Sequence, residues 1–135
     1  MRFPVTRLRR LRYNKVLREM VTETKLSVDD FVMPLFVCSG TNVNNPISSM
    51  PGNSQLSVDL LVGECKKIVA AGVKSVLLFG IPPVKDEDGS VACEHNGIGQ
   101  QAIRAIKMEP TTKELFVIAD VCNCEYTVHG HCGTI

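Results

Sequence analysis

Phe31-Val32-Met33-Pro34-Leu35-Phe36-Val37 is a continuous apolar run, and a second, Val73 to Phe79, follows about 35 residues later. A run of this length without polar alternation predicts a strand buried on both faces, as in a parallel sheet. Pro34 removes one ladder donor from the first run. Between the two lies a helical pattern: Ser57 as N-cap, Asp59 in the first turn, and Leu61, Cys65, Ile68 and Val69 along one face. Gly72 supplies the C-terminal stop. Strand, helix and strand in this order predict a parallel crossover unit and an α/β fold.

The pattern extends in both directions. Asn14 to Thr24, with Val16, Leu17, Met20 and Val21, predicts a short amphipathic helix after an extended arm over residues 1–12. Leu26 to Asp30 reads as a turn into the first strand. Residues 39–55, rich in Asn, Ser, Gly and Pro, read as a loop. Gly80-Ile81-Pro82-Pro83 stops the second strand, and Lys85 to Gly89 is a polar, exposed loop. A second helix over about 97–107 has Ile98, Ala102, Ile103 and Ile106 on its apolar face and Asn96 as its cap. Leu115 to Val121 is the third buried strand.

The chain has 135 residues, 44% hydrophobic and 21% charged, which fits one globular domain rather than a disordered chain. It has no apolar stretch long enough for a membrane span and no secretory h-region, so a cytoplasmic protein is expected. Residues 1–25 carry eight Lys/Arg against Glu19 and Glu23, a local net charge of +6 in a chain of net +1. No aromatic residues interleave these arginines for base stacking, which disfavours a nucleic-acid partner. Residues 1–25 are therefore set apart as a basic arm with a short helix, and 26–135 as the folded domain.

Of six cysteines, Cys122, Cys124 and Cys132 fall within eleven residues, together with His129 and His131. Asp120 stands at the carboxyl end of the third strand, where α/β folds place their chemistry. Thiolates and imidazoles are zinc ligands. Gly130 and Gly133 let the loop return and bring Cys132 to the other two. The fourth position is open to His129, His131, water or substrate. The plainer alternative, Cys122 and Cys124 as core residues at a strand end, leaves Cys132 and the histidines unexplained. Asp120 reads as a catalytic carboxylate or as one that orients a ligand. Cys38, Cys65 and Cys93 carry no expected chemistry, and Lys74 and Lys85 are expected to be solvated.

Several ordered motifs resemble the porphobilinogen synthase (5-aminolevulinate dehydratase) family. They are Thr6 to Arg12, Leu26 to Asp30, Met33 to Val37, Ser49-Met50-Pro51-Gly52, Val76 to Pro82, Lys85 to Ser90 and, most specific, Asp120 to Gly133. The resemblance implies a TIM (β/α)8 barrel, of which this chain would supply the first three strands with the barrel incomplete. It implies condensation of two 5-aminolevulinate molecules to porphobilinogen in tetrapyrrole (haem) synthesis. It implies catalytic Zn2+ on Cys122, Cys124 and Cys132, an active-site role for Asp120, and His131 as a ligand to a second zinc. It also implies a homo-octamer in which the arm wraps a neighbouring subunit. Nothing in the chain matches the family's substrate-binding lysines, so Lys74, Lys85 and Lys107 are not given that role. Asn53-Ser54-Gln55 and Gly63 also depart from the usual pattern. The expectation is an N-terminal portion of the enzyme, inactive alone. Two alternatives are a non-enzymatic fragment that co-assembles with the full-length enzyme and a small structural zinc protein.

Overall fold

A computed structural model describes residues 2–133. The strands are β1 (Val32–Cys38), β2 (Asn44–Pro46), β3 (Ser54–Ser57), β4 (Ser75–Ile81) and β5 (Phe116–Ala119). They form one sheet in the order β2-β3-β1-β4-β5. All neighbouring pairs are parallel except β2 with β3. The helices are α1 (Lys15–Met20), α2 (Val58–Ala70) and α3 (Ile98–Met108).

The expected crossover units are present: β1 and β4 pair along their whole length, from Val32 opposite Ser75 to Cys38 opposite Ile81. Alternation sends Leu35, Val37, Val76 and Leu78 to one face. There they pack with Leu61, Cys65 and Ile68 of α2 and Ile98, Ala102 and Ile106 of α3, the core of the molecule. At Pro34, β1 has a neighbour on one side only, because β3 runs beside it from Phe36 onward, so the missing donor is tolerated.

Five differences from the sequence reading have physical causes. The segment 39–55 is not wholly a loop, since it contains β2 and enters β3. Every residue of β2 is exposed and β3 contributes one apolar side chain, Leu56, so neither has a hydrophobic signature. The strands are also not buried on both faces. Helices cover one face, while Phe36 and Phe79, stacked at 5.0 Å, lie half-buried on the other. The third strand ends at Ala119 and is an edge: Phe116 is 66% exposed, and Val121, beyond it, is 89% exposed. β4 runs through Gly80 to Ile81, because both residues still pair with β1. Asn96 does not cap α3. Gly97 holds that place, and the Asn96 side chain accepts from Arg104 Nη2 at 2.9 Å instead.

Local capping follows the sequence elsewhere. Asn14 Oδ1 accepts from the Leu17 N–H at 2.8 Å and starts α1, which is shorter than the expected 14–24 and buries no residue. Residues 10–12 form a 3-10 turn rather than extended chain. Ser57 stands at the N-cap of α2, but its hydroxyl accepts from Val43 N–H at 2.9 Å and so ties the 39–43 segment to the helix start. Gly72 adopts φ +86 just past the end of α2. At the end of α3, the buried Thr112 hydroxyl donates to Ile106 O at 2.7 Å. The sheet is open, with β2 and β5 as its edges.

Candidate metal centre

The site grows out of β5. The Asp120 N–H donates to Leu78 O at 3.1 Å, so the β4–β5 ladder continues one step past the strand and fixes the aspartate at the carboxyl end of the sheet. The chain then leaves the sheet and returns on itself. Asn123 O accepts from both Tyr126 N–H, at 2.9 Å, and Thr127 N–H, at 3.1 Å. The buried Thr127 hydroxyl donates to His131 O at 2.9 Å. Gly130 and Gly133 adopt φ +73 and +85, the left-handed region in which side chains are strained. These turns bring back Cys132.

The three thiols meet. Cys132 Sγ lies 3.4 Å from Cys122 Sγ and 3.4 Å from Cys124 Sγ, and it accepts from the Asn123 N–H at 3.3 Å. Tetrahedral zinc with Zn–S bonds of about 2.3 Å needs sulfurs about 3.8 Å apart. A few tenths of an ångström of spreading would admit the ion. The Asn123 N–H and the Cys122 and Cys124 thiols donate to Cys132 and lower its pKa. On Cys122, the pull of the Cys124 N–H is outweighed by its bonds to the other two sulfurs, desolvation and the Cys124 charge, which push it up to about 12.

Asp120, Cys122 and Glu125 form an overlapping group whose ligand atoms also lie within 4.8 Å of one another. Glu125 Oε2 is buried without a hydrogen-bond partner among the described residues. An orphaned carboxylate oxygen within reach of the Cys122 thiol and Asp120 suits a cation.

The histidines divide. His129 Nδ1 accepts from the His131 N–H at 3.2 Å, so its proton sits on Nε2, which faces Glu87 O at 3.1 Å. Both nitrogens are thus used, as expected for a loop residue. The His131 ring stacks on His129 at 6.3 Å. The tight thiol cluster comprises Cys122, Cys124 and Cys132 without His131.

Through Cys122 the cluster borders a cavity of about 420 Å3 lined also by Asp120, Asn123, Tyr126, Gly80 and Gly99, among others. Tyr126 and Gly80 were not singled out from the sequence. The Tyr126 hydroxyl occupies the space that a Cβ on Gly80 would need, so this glycine is a close-approach position inside a strand. Burial, then the charges of Glu125 and Asp120, push the Tyr126 phenol up, which keeps it a hydrogen-bond donor.

The remaining candidates lie elsewhere. Lys74 pairs with Asp29 at 2.6 Å beside the start of β4, Lys85 is exposed, and Lys107 Nζ donates to Lys113 O and Leu115 O. Burial, with the Glu64 charge, pushes the Cys65 thiol up to about 11, as expected of an inert core cysteine. Cys38 is also buried and Cys93 is exposed at the cavity edge.

Comparison with known proteins gives the family of the chain. The chain is 48% identical over 135 residues to the delta-aminolevulinic acid dehydratase of Methanothermus sociabilis, covering 100% of this chain and 41% of that protein. It is 52% identical over 130 residues to the enzyme of that name from Helicobacter pylori strain J99, covering 96% and 40%. The chain thus spans about two fifths of the length of these relatives. Among solved structures it matches the Toxoplasma gondii ME49 delta-aminolevulinic acid dehydratase (porphobilinogen synthase), crystallised with its reaction product porphobilinogen. The TM-score is 0.88 at 30% identity, over 96% of this chain and 37% of that one. Residues 5–135 match the sequence model of one family, and the chain belongs to it: delta-aminolevulinic acid dehydratase.

Proposed function

We propose that this chain carries the metal-binding part of a porphobilinogen synthase, which condenses two 5-aminolevulinate molecules to porphobilinogen in tetrapyrrole synthesis, and that its metal is zinc. The convergence of three thiols, one of which lines a cavity together with Asp120, carries this reading. Cys122, Cys124 and Cys132 would hold the ion, which would supply Lewis-acid chemistry beside the cavity that Cys122 lines. Asp120, which lines that cavity, would hold a substrate ammonium group or accept its proton. Tyr126, kept protonated, donates a hydrogen bond to a substrate oxygen. His131 would serve a second metal rather than the thiol cluster. A cytoplasmic homo-octamer assembled through residues 1–25 completes the proposal.

The 135 residues alone are expected not to turn over. No lysine lines the cavity among the described residues, so no amine is placed there to form a Schiff base. The purified chain should bind zinc and form no pyrrole from 5-aminolevulinate. Zinc-dependent pyrrole formation would refute the claim of inactivity.

A second reading is a non-catalytic chain that co-assembles with a full-length enzyme. It is favoured by the open edge at β5 and by the apolar side chains left exposed along the arm, Leu8, Leu11, Val16 and Met20. Measuring mass after mixing the chain with a full-length relative tests it. Persistence of separate species would dismiss it. A closed structural zinc site would instead recruit a fourth protein ligand, which cobalt absorption of the C122S variant would reveal.

A further inference from the structure

The thiol loop has no regular structure, and its internal hydrogen bonds close turns without fixing it to the sheet beyond Asp120. Among the described residues, its external hydrogen bonds beyond Asp120 converge on one short segment, 86–89. The Asp86 N–H donates to Tyr126 O at 3.3 Å, and the Val128 N–H donates to Asp86 O at 3.0 Å, so Asp86 and Thr127 form an isolated parallel bridge. His129 Nε2 donates to Glu87 O at 3.1 Å. Gly89, buried and at φ +66, packs so closely that a Cβ there would lie 3.4 Å from Thr127 Cγ2 and from Tyr126 Cβ.

This tethering segment lacks regular structure too, and it is polar. Its shape comes from the Asp86 side chain. Oδ1 accepts from the Ser90 N–H at 2.9 Å, and Oδ2 accepts from the Ser90 hydroxyl. The turn from 86 to 90 is thereby closed by one carboxylate and leads into the 3-10 turn Ser90–Cys93. These bonds from Ser90 lower the Asp86 pKa, so the carboxylate is charged at neutral pH and accepts strongly. We propose that Asp86 is a positioning residue for the metal centre: its carboxylate bonds Ser90 rather than any cysteine, yet it sets how tightly Cys122, Cys124 and Cys132 hold zinc. This inference rests on the zinc reading above.

The test is zinc affinity of the 135-residue chain, measured by competition with a chromophoric chelator, and cobalt absorption at saturation. D86A should weaken zinc by about 10- to 100-fold, the range for outer-shell partners of metal ligands. The cobalt–thiolate band should persist at saturation, because the ligands themselves are intact. D86N keeps an acceptor and should recover part of the loss. S90A, which removes only the hydroxyl, should fall between the wild type and D86A. Amide exchange at Val128 should rise in step with the loss of affinity. Equal zinc affinity in D86A and the wild type overturns the inference alone. If D86A fails to fold, S90A decides on the same criterion. A wild-type chain that binds no zinc overturns the metal reading and this inference with it.

Discussion

The helix-covered face of the sheet and the thiol loop beyond β5 are built by opposite means. Leu61, Val37, Val76, Ala102 and Ile106 are fully buried, and burial of their apolar area holds β1, β4, α2 and α3 together. The loop from Val121 to Gly133 buries one residue, Thr127. It is held by a few hydrogen bonds, by left-handed glycines and by the segment 86–89. Each such bond contributes only about 1 kcal/mol net. The loop is therefore cheap to distort, and a metal ion would add much of its order. Damage to one region should leave the other largely intact.

The largest separation is expected from C132S. Cys132 is the sulfur that both others touch, so its loss should weaken zinc by at least about 1,000-fold, given that structural zinc sites bind with about 10–16 kcal/mol. The metal-free unfolding free energy should stay within about 0.5 kcal/mol of wild type, as for an exposed substitution. A large fall in metal-free stability would show that the thiols support the fold, which breaks the comparison. Next is L61A. This fully buried α2 residue should cost about 2–5 kcal/mol in urea unfolding, a large share of a typical domain's total. Zinc affinity of the folded fraction should be unchanged. Loss of affinity equal to the loss of stability would mean that core and loop form one cooperative unit.

The same division explains what could be read from the chain alone. Apolar runs and a 3.6-residue period mark β1, β4, α2 and α3, because burial is what forms them. β2 and β3 escaped because pairing along an edge needs backbone groups only, and Asn44-Asn45-Pro46 looks like loop. The edge position of β5 escaped because Leu115 to Val121 is as apolar as an interior strand. How many neighbours a strand has is a property of topology rather than of its residues. Cys122, Cys124 and Cys132 were legible because their residue type is rare and their spacing tight. Tyr126, Gly80 and Asp86 were not, since a tyrosine over a strand glycine and a carboxylate closing a distant turn depend on contacts across about 40 residues of chain. The resemblance set His131 apart from His129 in the sequence, and geometry adds the two hydrogen bonds that occupy His129.

Between core and loop stands Gly80, in β4 but under the Tyr126 ring. G80A should push the phenol from its seat at a cost of about 1–3 kcal/mol, the range for inserting a methyl group where there is no room. Because Ile98 Cγ2 also lies 3.3 Å from the added carbon, α3 cannot simply retreat. The expected readout is a loss of stability together with a shift in Tyr126 absorbance, as the ring moves toward solvent and away from Glu125 and Asp120. A shifted tyrosine titration at full stability would mean that the loop yields freely, which sharpens the boundary to β4 itself, whereas an unchanged titration at full stability would mean that the phenol is not seated on Gly80.

The smallest effect belongs to Gly130. Its φ of +73 is left-handed, but a Cβ there meets nothing within 4 Å. The cost of G130A is therefore conformational alone, about 1–2 kcal/mol for an L-residue in this region. That cost falls on the turn that returns Cys132, not on any buried contact. A chain free to relax the turn when metal-free would keep its unfolding midpoint. It would meet the strain only when zinc draws the three sulfurs together. Zinc affinity should then fall about 5- to 30-fold at nearly constant metal-free stability. If instead the midpoint falls and the affinity holds, the loop is ordered before the metal arrives, and its few hydrogen bonds are stronger than their exposure implies.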